Sequence, residues 1–209
     1  MYKVLIFDFN GTLVQSKYLV VKLMNDLADK YGYEKIKDED IEHLASLSIR
    51  ERLKVMKCPI YKLPMLVADV KKKYKDDVID LDIVPGIRDV LSRVKSQGMT
   101  MGILSSNSED NIQKFLGIHD SQMFDFVYTA SNIFGKEKAL RKLLKERGIS
   151  KDEVLYIGDE LRDAEACQNT GIACAMVTWG YDAEELLIQG KPTYLIHEPE
   201  ELYQIVASV

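Results

Sequence analysis

Five short runs of almost purely apolar residues limit most strongly what this chain can fold into: Lys3 to Phe7, Met101 to Leu104, Phe124 to Thr129, Val154 to Ile157 and Ala173 to Thr178. Successive side chains of a strand point to opposite faces, so a run that is apolar at odd and even positions alike suits a strand covered on both sides. Helical stretches lie between the runs, at Gly86 to Ser96, Glu109 to Leu116, Lys136 to Arg147 and Asp163 to Asn169. Within the third, Leu140, Leu143 and Leu144 repeat at helical spacing, and Gly148 supplies a terminator. Strand–helix alternation requires crossover connections. The expected fold class is therefore α/β, a doubly wound, mainly parallel, Rossmann-like sheet.

One interval breaks the rhythm. From about Ser16 to about Val84 the chain reads as helix after helix, with Leu19, Val20, Leu23, Met24 and Leu27 on one amphipathic stripe and further stripes at Leu53 to Met56 and Met65 to Val70. Pro85-Gly86 restarts the alternation. The expected organisation is a core domain of residues 1–15 and 85–209, with residues 16–84 as a small helical cap inserted after the first strand. Inside the insertion, the basic run Lys71-Lys72-Lys73-Tyr74-Lys75 lies beside Asp76, Asp77, Asp80 and Asp82 and reads as a solvated helix face.

Composition narrows the function classes. A net charge of -5 over 209 residues, with 46% apolar and 29% charged, gives an ordinary core and no basic face, which argues against a nucleic-acid partner. No apolar stretch is long enough to span a bilayer, so no membrane partner is expected. Cys58, Cys167 and Cys174 form neither a paired framework nor a metal-type spacing, which suits a reducing compartment. The start, Met1-Tyr2-Lys3 and a short apolar run, is too brief for a signal peptide, and a cytoplasmic location is the expectation.

In an open parallel sheet, ligands bind beyond the C-terminal ends of the strands. The first run is followed by Asp8-Phe9-Asn10-Gly11-Thr12, the second by Ser105-Ser106-Asn107, and a later one by Gly158-Asp159-Glu160-Leu161-Arg162-Asp163, while Lys136 opens a helix after Phe134-Gly135. If the sheet is built as expected, these groups share one rim. Carboxylates of Asp8, Asp159 and Asp163 brought together repel unless a cation joins them, and hard oxygen ligands favour Mg2+. Ser105 and the N-terminus of the following helix suit a phosphate oxygen. Lys136 offers the compact positive charge that phosphoryl transfer needs, and a carboxylate nucleophile would form an aspartyl-phosphate.

These segments, in this order, resemble the haloacid dehalogenase superfamily. Asp8-Phe9-Asn10-Gly11-Thr12 looks like its Asp-x-Asp-Gly-Thr motif, Ser105 like its second-motif Ser or Thr, Lys136 like its third-motif lysine, and Gly158-Asp159 with Asp163 like its acidic fourth motif. Val84-Pro85-Gly86 resembles the segment that re-enters the core from the cap. The likeness covers essentially the whole chain and is to phosphoglycolate-phosphatase-like members with a helical C1-type cap. It implies an Mg2+-dependent phosphatase acting on a small phosphorylated metabolite. By the resemblance Asp8 is the nucleophile and a metal ligand, and the Asn10 carbonyl also binds Mg2+. Gly11, Thr12, Ser105, Ser106, Asn107 and Lys136 hold the phosphate, and Lys136 orients Asp8. Asp159 ligates the metal directly, and Asp163 acts through water or lysine. The role of Glu160 stays open.

Asn10 departs from the pattern. The superfamily's phosphatases usually carry there a second Asp that protonates the leaving oxygen and then activates water; Asn10 keeps the backbone carbonyl but cannot exchange a proton. General acid–base help of this kind contributes about 10²–10⁴-fold, so slow turnover is expected. Four readings stay open: an engineered substitution that traps a ligand, a naturally weakened enzyme, a phosphate-binding or phospho-signalling protein that retains the site, and different chemistry on the same fold. Phospho-receiver domains share the acids and the lysine but place the phosphorylated Asp after the third strand, not the first. Which of Lys17, Tyr18, Arg50, Arg52 and Lys54 faces the site is not legible. His43, His119 and His197 lack ligand spacing and read as ordinary histidines, and Trp179 reads as a packing residue.

Overall fold

The computed structural model describes residues 1–119, 122–130 and 132–208. Strand β1 (Val4–Phe7) is followed by four helices, α1 (Lys17–Tyr31), α2 (Ile41–Ala45), α3 (Ile49–Val55) and α4 (Leu63–Asp77). Helix and strand then alternate: α5 (Ile87–Ser96), β2 (Thr100–Ser105), α6 (Glu109–Ile118), β3 (Phe126–Thr129), α7 (Lys136–Arg147), β4 (Val154–Gly158), α8 (Leu161–Thr170), β5 (Ala173–Val177), α9 (Glu184–Gln189), β6 (Tyr194–Ile196) and α10 (Pro199–Ala207). The strands form one parallel sheet of order β3-β2-β1-β4-β5-β6. The fold is the expected α/β, Rossmann-like arrangement.

The unbroken apolarity of the strands follows from two covered faces. Leu5, Phe7, Met101, Ile103, Leu155, Ile157, Ala175 and Val177 point to one side, where they meet Ile87, Val90, Leu91 and Val94 of α5, Ile112 and Phe115 of α6, and Leu202 of α10. Val4, Ile6, Leu104, Val154, Tyr156, Cys174 and Met176 point to the other, against Ala139, Leu140 and Leu143 of α7 and Ala164 and Cys167 of α8. The spacing of the α5 residues, i, i+3, i+4 and i+7, is the apolar stripe of a helix lying on a sheet. The sheet also has a strand past β5 that no apolar run announces: β6 is three residues long and sits at the edge. Chain order reverses on either side of β1, which pairs with β2 on one edge and β4 on the other. The crevice that this reversal opens lies beyond Phe7, where Asp8 begins.

No strand occurs among residues 16–84, and α1 packs on α4. These helices have an apolar cluster of their own, including Leu27, Tyr31, Leu53, Met56, Leu63 and Leu66. The chain leaves and re-enters the sheet region side by side: Val84 donates its N–H to Leu13 O at 3.0 Å and Gln15 to Asp82 O at 2.9 Å. Among the described residues no helix is long and apolar enough to cross a membrane. Cys58, Cys167 and Cys174 are buried and free.

Candidate active site

The segments singled out by their position after strands all reach one rim. Asp8 follows β1, Ser105 ends β2, Lys136 begins α7, Asp159 follows β4, and Asp163 lies in the first turn of α8. All five side chains are buried. The Lys136 ammonium donates to both Asp8 Oδ2 and Asp163 Oδ1. Burial disfavours its charge, yet Asp163 and Asp8 hold its pKa above that of an ordinary lysine. The second Asp8 oxygen accepts the N–H of Phe9 at 2.6 Å. The nucleophile candidate is thus held in place through both oxygens.

The acids divide into two groups. One carboxylate oxygen from each of Asp8, Glu160 and Asp163 lies within 4.8 Å of the other two. Asp163 Oδ2 is buried and has no hydrogen-bond donor. Asp159, by contrast, accepts the Thr12 hydroxyl at 2.7 Å and the Tyr181 N–H at 2.8 Å. The reading that joined Asp159 to Asp8 and Asp163 therefore meets a different geometry, in which Glu160 faces the other two acids and Asp159 faces the Thr12 loop. Gly11 makes that approach possible. Its φ is +77°, and a Cβ there would sit 2.1 Å from Asp159 Oδ2.

Four carboxylates share this rim with two embedded cations, Lys136 and Arg162. Arg162 pairs with Glu160, donates to Ile133 O at 2.5 Å and reaches Ser106 Oγ at 3.4 Å. Although burial pushes Glu160 up, Arg162 holds its carboxyl below the usual range. Burial raises Asp159 well above that range, with Glu160, Asp8 and Asp163 adding repulsion. Asp163 is pushed up to about 7 by burial, against the pull of Lys136. An excess of buried negative charge, an orphaned carboxylate oxygen and an all-oxygen donor set fit a hard divalent cation.

Asn10 points its Oδ1 at two donors, the Tyr74 hydroxyl at 2.7 Å and Asn107 Nδ2 at 3.4 Å. Asn107 also passes its N–H to Ser105 Oγ at 3.2 Å and receives Asn111 Nδ2 at 2.9 Å. Tyr74 comes from α4, inside the basic run. Lys72, Lys73 and Lys75 are exposed as a solvated face should be, but Tyr74 is buried and Lys71 half-buried beside the site. Sequence reasoning passed over both. The four-residue spacing of Leu66, Val70 and Tyr74, and of Val67 and Lys71, was the available signal.

Of the five insertion residues left open, Lys17 and Arg52 line the space above Asp8, while Tyr18, Arg50 and Lys54 are exposed. Arg52 pairs with Asp182 and donates to Leu44 O at 2.7 Å and Ala45 O at 3.1 Å. Trp179 packs partly buried and donates to Thr12 O at 3.2 Å. His43, His119 and His197 lie outside the cavity above Asp8.

Comparison with known proteins bears on the family and the fold. A family model described as haloacid dehalogenase-like hydrolase matches residues 5–177. Phosphoglycolate phosphatase of Synechococcus elongatus is 34% identical over 208 residues, covering 98% of this chain and 97% of that protein. Pyrophosphatase PpaX of Bacillus cereus is 21% identical over 209 residues, covering 98% and 96%. A solved haloacid dehalogenase-like hydrolase from Streptococcus pneumoniae shares the fold with a TM-score of 0.81 at 19% identity, over 98% of each chain.

Proposed function

The chain belongs to the haloacid dehalogenase-like hydrolases, and on that premise we propose that it is a Mg2+-dependent phosphatase for a small phosphorylated metabolite, with turnover slowed by Asn10. The observation that carries the proposal is the contact of one buried ammonium, Lys136, with both Asp8 and Asp163 at the switch point of the sheet. That arrangement fixes Asp8 in orientation beside a positive charge, as a carboxylate nucleophile requires.

In this reading Asp8 attacks phosphorus and becomes an aspartyl-phosphate as the ester oxygen departs. Ser105 and the N–H groups leading into α6 receive the phosphate oxygens, and Lys136 balances charge on the phosphoryl group. Asp8, Glu160 and Asp163 would hold the divalent cation, with Asp159 joining them if it gives up Thr12. When bound, the cation screens the repulsion between the carboxylate nucleophile and a phosphate dianion. The departing oxygen needs a proton that the Asn10 amide cannot give, and water attacking the acyl-phosphate lacks a base there. Residues 16–84 act as the cap that encloses the site, with residues 1–15 and 85–209 as the core. The Synechococcus relative makes phosphoglycolate a natural first substrate to assay.

The test is hydrolysis of an aryl phosphate with Mg2+ by this chain, its Asn10→Asp form and its Asp8→Asn form. The proposal expects slow turnover, a large gain and no turnover, respectively. No gain in Asn10→Asp together with a harmless Asp8→Asn would end the catalytic reading. A second reading is favoured by the Asn10 amide itself, whose carbonyl is occupied by Tyr74 and Asn107. In that reading the chain binds phosphate, or keeps a phosphorylated Asp8, without turnover. A long-lived acyl-phosphate detected by mass spectrometry would identify it.

A further inference from the structure

A cavity of about 250 Å³ rises from Asp8, Asn10 and Ser105 into the helices of the insertion. Its two ends differ in chemistry. At the core end stand the site's polar groups together with Lys17 and Lys71. Lys17 opens α1 directly after Ser16, which hydrogen-bonds the Tyr181 hydroxyl at 2.8 Å, and Lys71 lies one turn before Tyr74, with its carbonyl accepting Asn111 Nδ2 at 3.2 Å, so both helix positions are at the core end. The far end is walled by Met24, Ile36, Ile49, Leu53 and Val67. Apart from Leu53 these side chains are only partly buried, so part of the wall that they form is open surface.

The charged groups on the cavity wall are already committed or sit at the phosphate end. Arg52, the cation that reaches in from α3, is neutralised by Asp182 and two backbone carbonyls. Arg162 is held by Glu160 and Ile133 O. A carboxylate or second phosphate carried into the far end would lose its water and find no unpaired cation there among the described residues, which is strongly unfavourable. An apolar group would lose nothing and cover apolar surface.

We infer that the preferred substrate is a phosphate monoester whose leaving group is uncharged and largely apolar and long enough to reach the far end of the cavity. The inference rests on the proposed site for the position of the phosphate and deepens that reading by naming the substrate class. The phosphate lies at Asp8, Ser105 and Lys136, flanked by Lys17 and Lys71. The ester body runs toward Met24, Ile49 and Val67.

Binding can be read without turnover. Methyl-, butyl- and hexylphosphonate, and 3-phosphonopropionate as the analogue of phosphoglycolate, are titrated calorimetrically into the full chain with Mg2+. Each methylene that the cavity covers should tighten binding up to about fourfold. Hexylphosphonate is thus expected to bind at least tenfold more tightly than methylphosphonate, and more tightly than 3-phosphonopropionate. Val67→Asp and Ile49→Asp, at partly buried positions of the wall, should each remove the gain with chain length. A flat series, or tighter binding of 3-phosphonopropionate than of hexylphosphonate, overturns the inference. Hydrolysis of an aryl phosphate by Asn10→Asp, measured alongside, separates the two readings. Turnover with a flat series retains the phosphatase and rejects the apolar substrate. A steep series without turnover retains the ligand class and rejects the catalysis.

Discussion

Tyr74 donates its hydroxyl hydrogen to Oδ1 of Asn10 across 2.7 Å, joining a helix of the insertion to the residue two positions past the nucleophile candidate. An aspartate at position 10 would accept the same bond with nearly the same shape, so Asn10→Asp can be made without repacking. It restores a group able to give and take a proton. Turnover of an alkyl phosphate should rise about 10²–10⁴-fold. The gain should be smaller for an aryl phosphate, whose leaving group needs less protonation. Steady-state rates on matched alkyl and aryl esters check this, and equal gains on both would show that position 10 does not protonate the leaving oxygen.

Lys136 stands between two buried carboxylates, and its removal would take the ammonium from both, leaving Asp8 with only the Phe9 N–H. Breaking a buried pair in this way costs about 3–5 kcal/mol. Protonation can relieve part of that cost, since burial already pushes Asp163 up to about 7. Lys136→Met should therefore destabilise more at pH 8 than at pH 6, and Lys136→Met with Asp163→Asn should recover part of the loss. Urea denaturation of the single and double variants at the two pH values measures it. A loss independent of pH would mean that the ammonium does not compensate these acids.

The same acids tie metal binding to pH. Asp163 has a folded pKa of about 7 against about 3.9 when unfolded, so between these values the folded chain binds more protons. Folding stability from this group therefore falls as pH rises from about 4 to about 7 and stays low above that. A divalent cation would take the place of the proton. The thermal shift produced by Mg2+ should consequently be larger at pH 8 than at pH 5.5, with protons released on binding. Scanning fluorimetry at both pH values decides it, and an equal shift at each would separate the metal from these carboxylates.

Gly11 holds a left-handed backbone directly against Asp159, with φ +77° and room for no Cβ. Gly11→Ala must strain the turn and displace the Asp159 carboxylate from Thr12 and the Tyr181 N–H. Activity should fall at least tenfold, with weaker Mg2+ dependence, and a stability loss of about 1–3 kcal/mol is expected from the strained conformation. Activity against Mg2+ concentration, together with a melting curve, checks both parts. A variant with unchanged metal dependence would show that Asp159 is not needed near the cation.

What was legible in the sequence is what local patterning controls. The strand runs announced a sheet covered on both faces, and the residue after each run had to lie on the C-terminal rim; Asp8, Ser105 and Asp159 were found that way. The first turn of α8 and the start of α7 then brought Asp163 and Lys136 to the same place. Orientation within a turn is not local patterning. Whether Asp159 or Glu160 faces Asp8 depends on Gly11 and Gly180 giving Asp159 space elsewhere, which only the folded chain reveals. Tyr74 was hidden for a different reason, because four neighbouring lysines masked the four-residue spacing that buries it. β6 is too short to make a pattern at all.

The contact least visible in the sequence joins residues 130 apart. Arg52 on α3 pairs with Asp182, in the loop after β5, while Ala183 donates its N–H to Ala45 O at 2.9 Å beside it. Burial and the nearby Glu160 raise Asp182 to about 6, and Arg52 opposes the rise. The pair thus fastens the insertion to the loop after β5 at the cavity wall, without a contact to Asp8. Arg52→Met would leave the Asp182 carboxylate with the Leu161 N–H at 2.6 Å as its remaining donor. The insertion should then separate from the core more often. Enclosure of the substrate, not the chemical step, should suffer: KM is expected to rise at least fivefold with kcat within twofold, and proteolysis within residues 16–84 should accelerate. Asp182→Asn, which keeps the shape but removes the charge, should give a smaller version of both effects. Kinetics on the Asn10→Asp background and limited proteolysis provide the two readouts. A fall in kcat at constant KM would instead assign Arg52 to the chemistry, and an unchanged digestion pattern would show that other contacts hold the helices down.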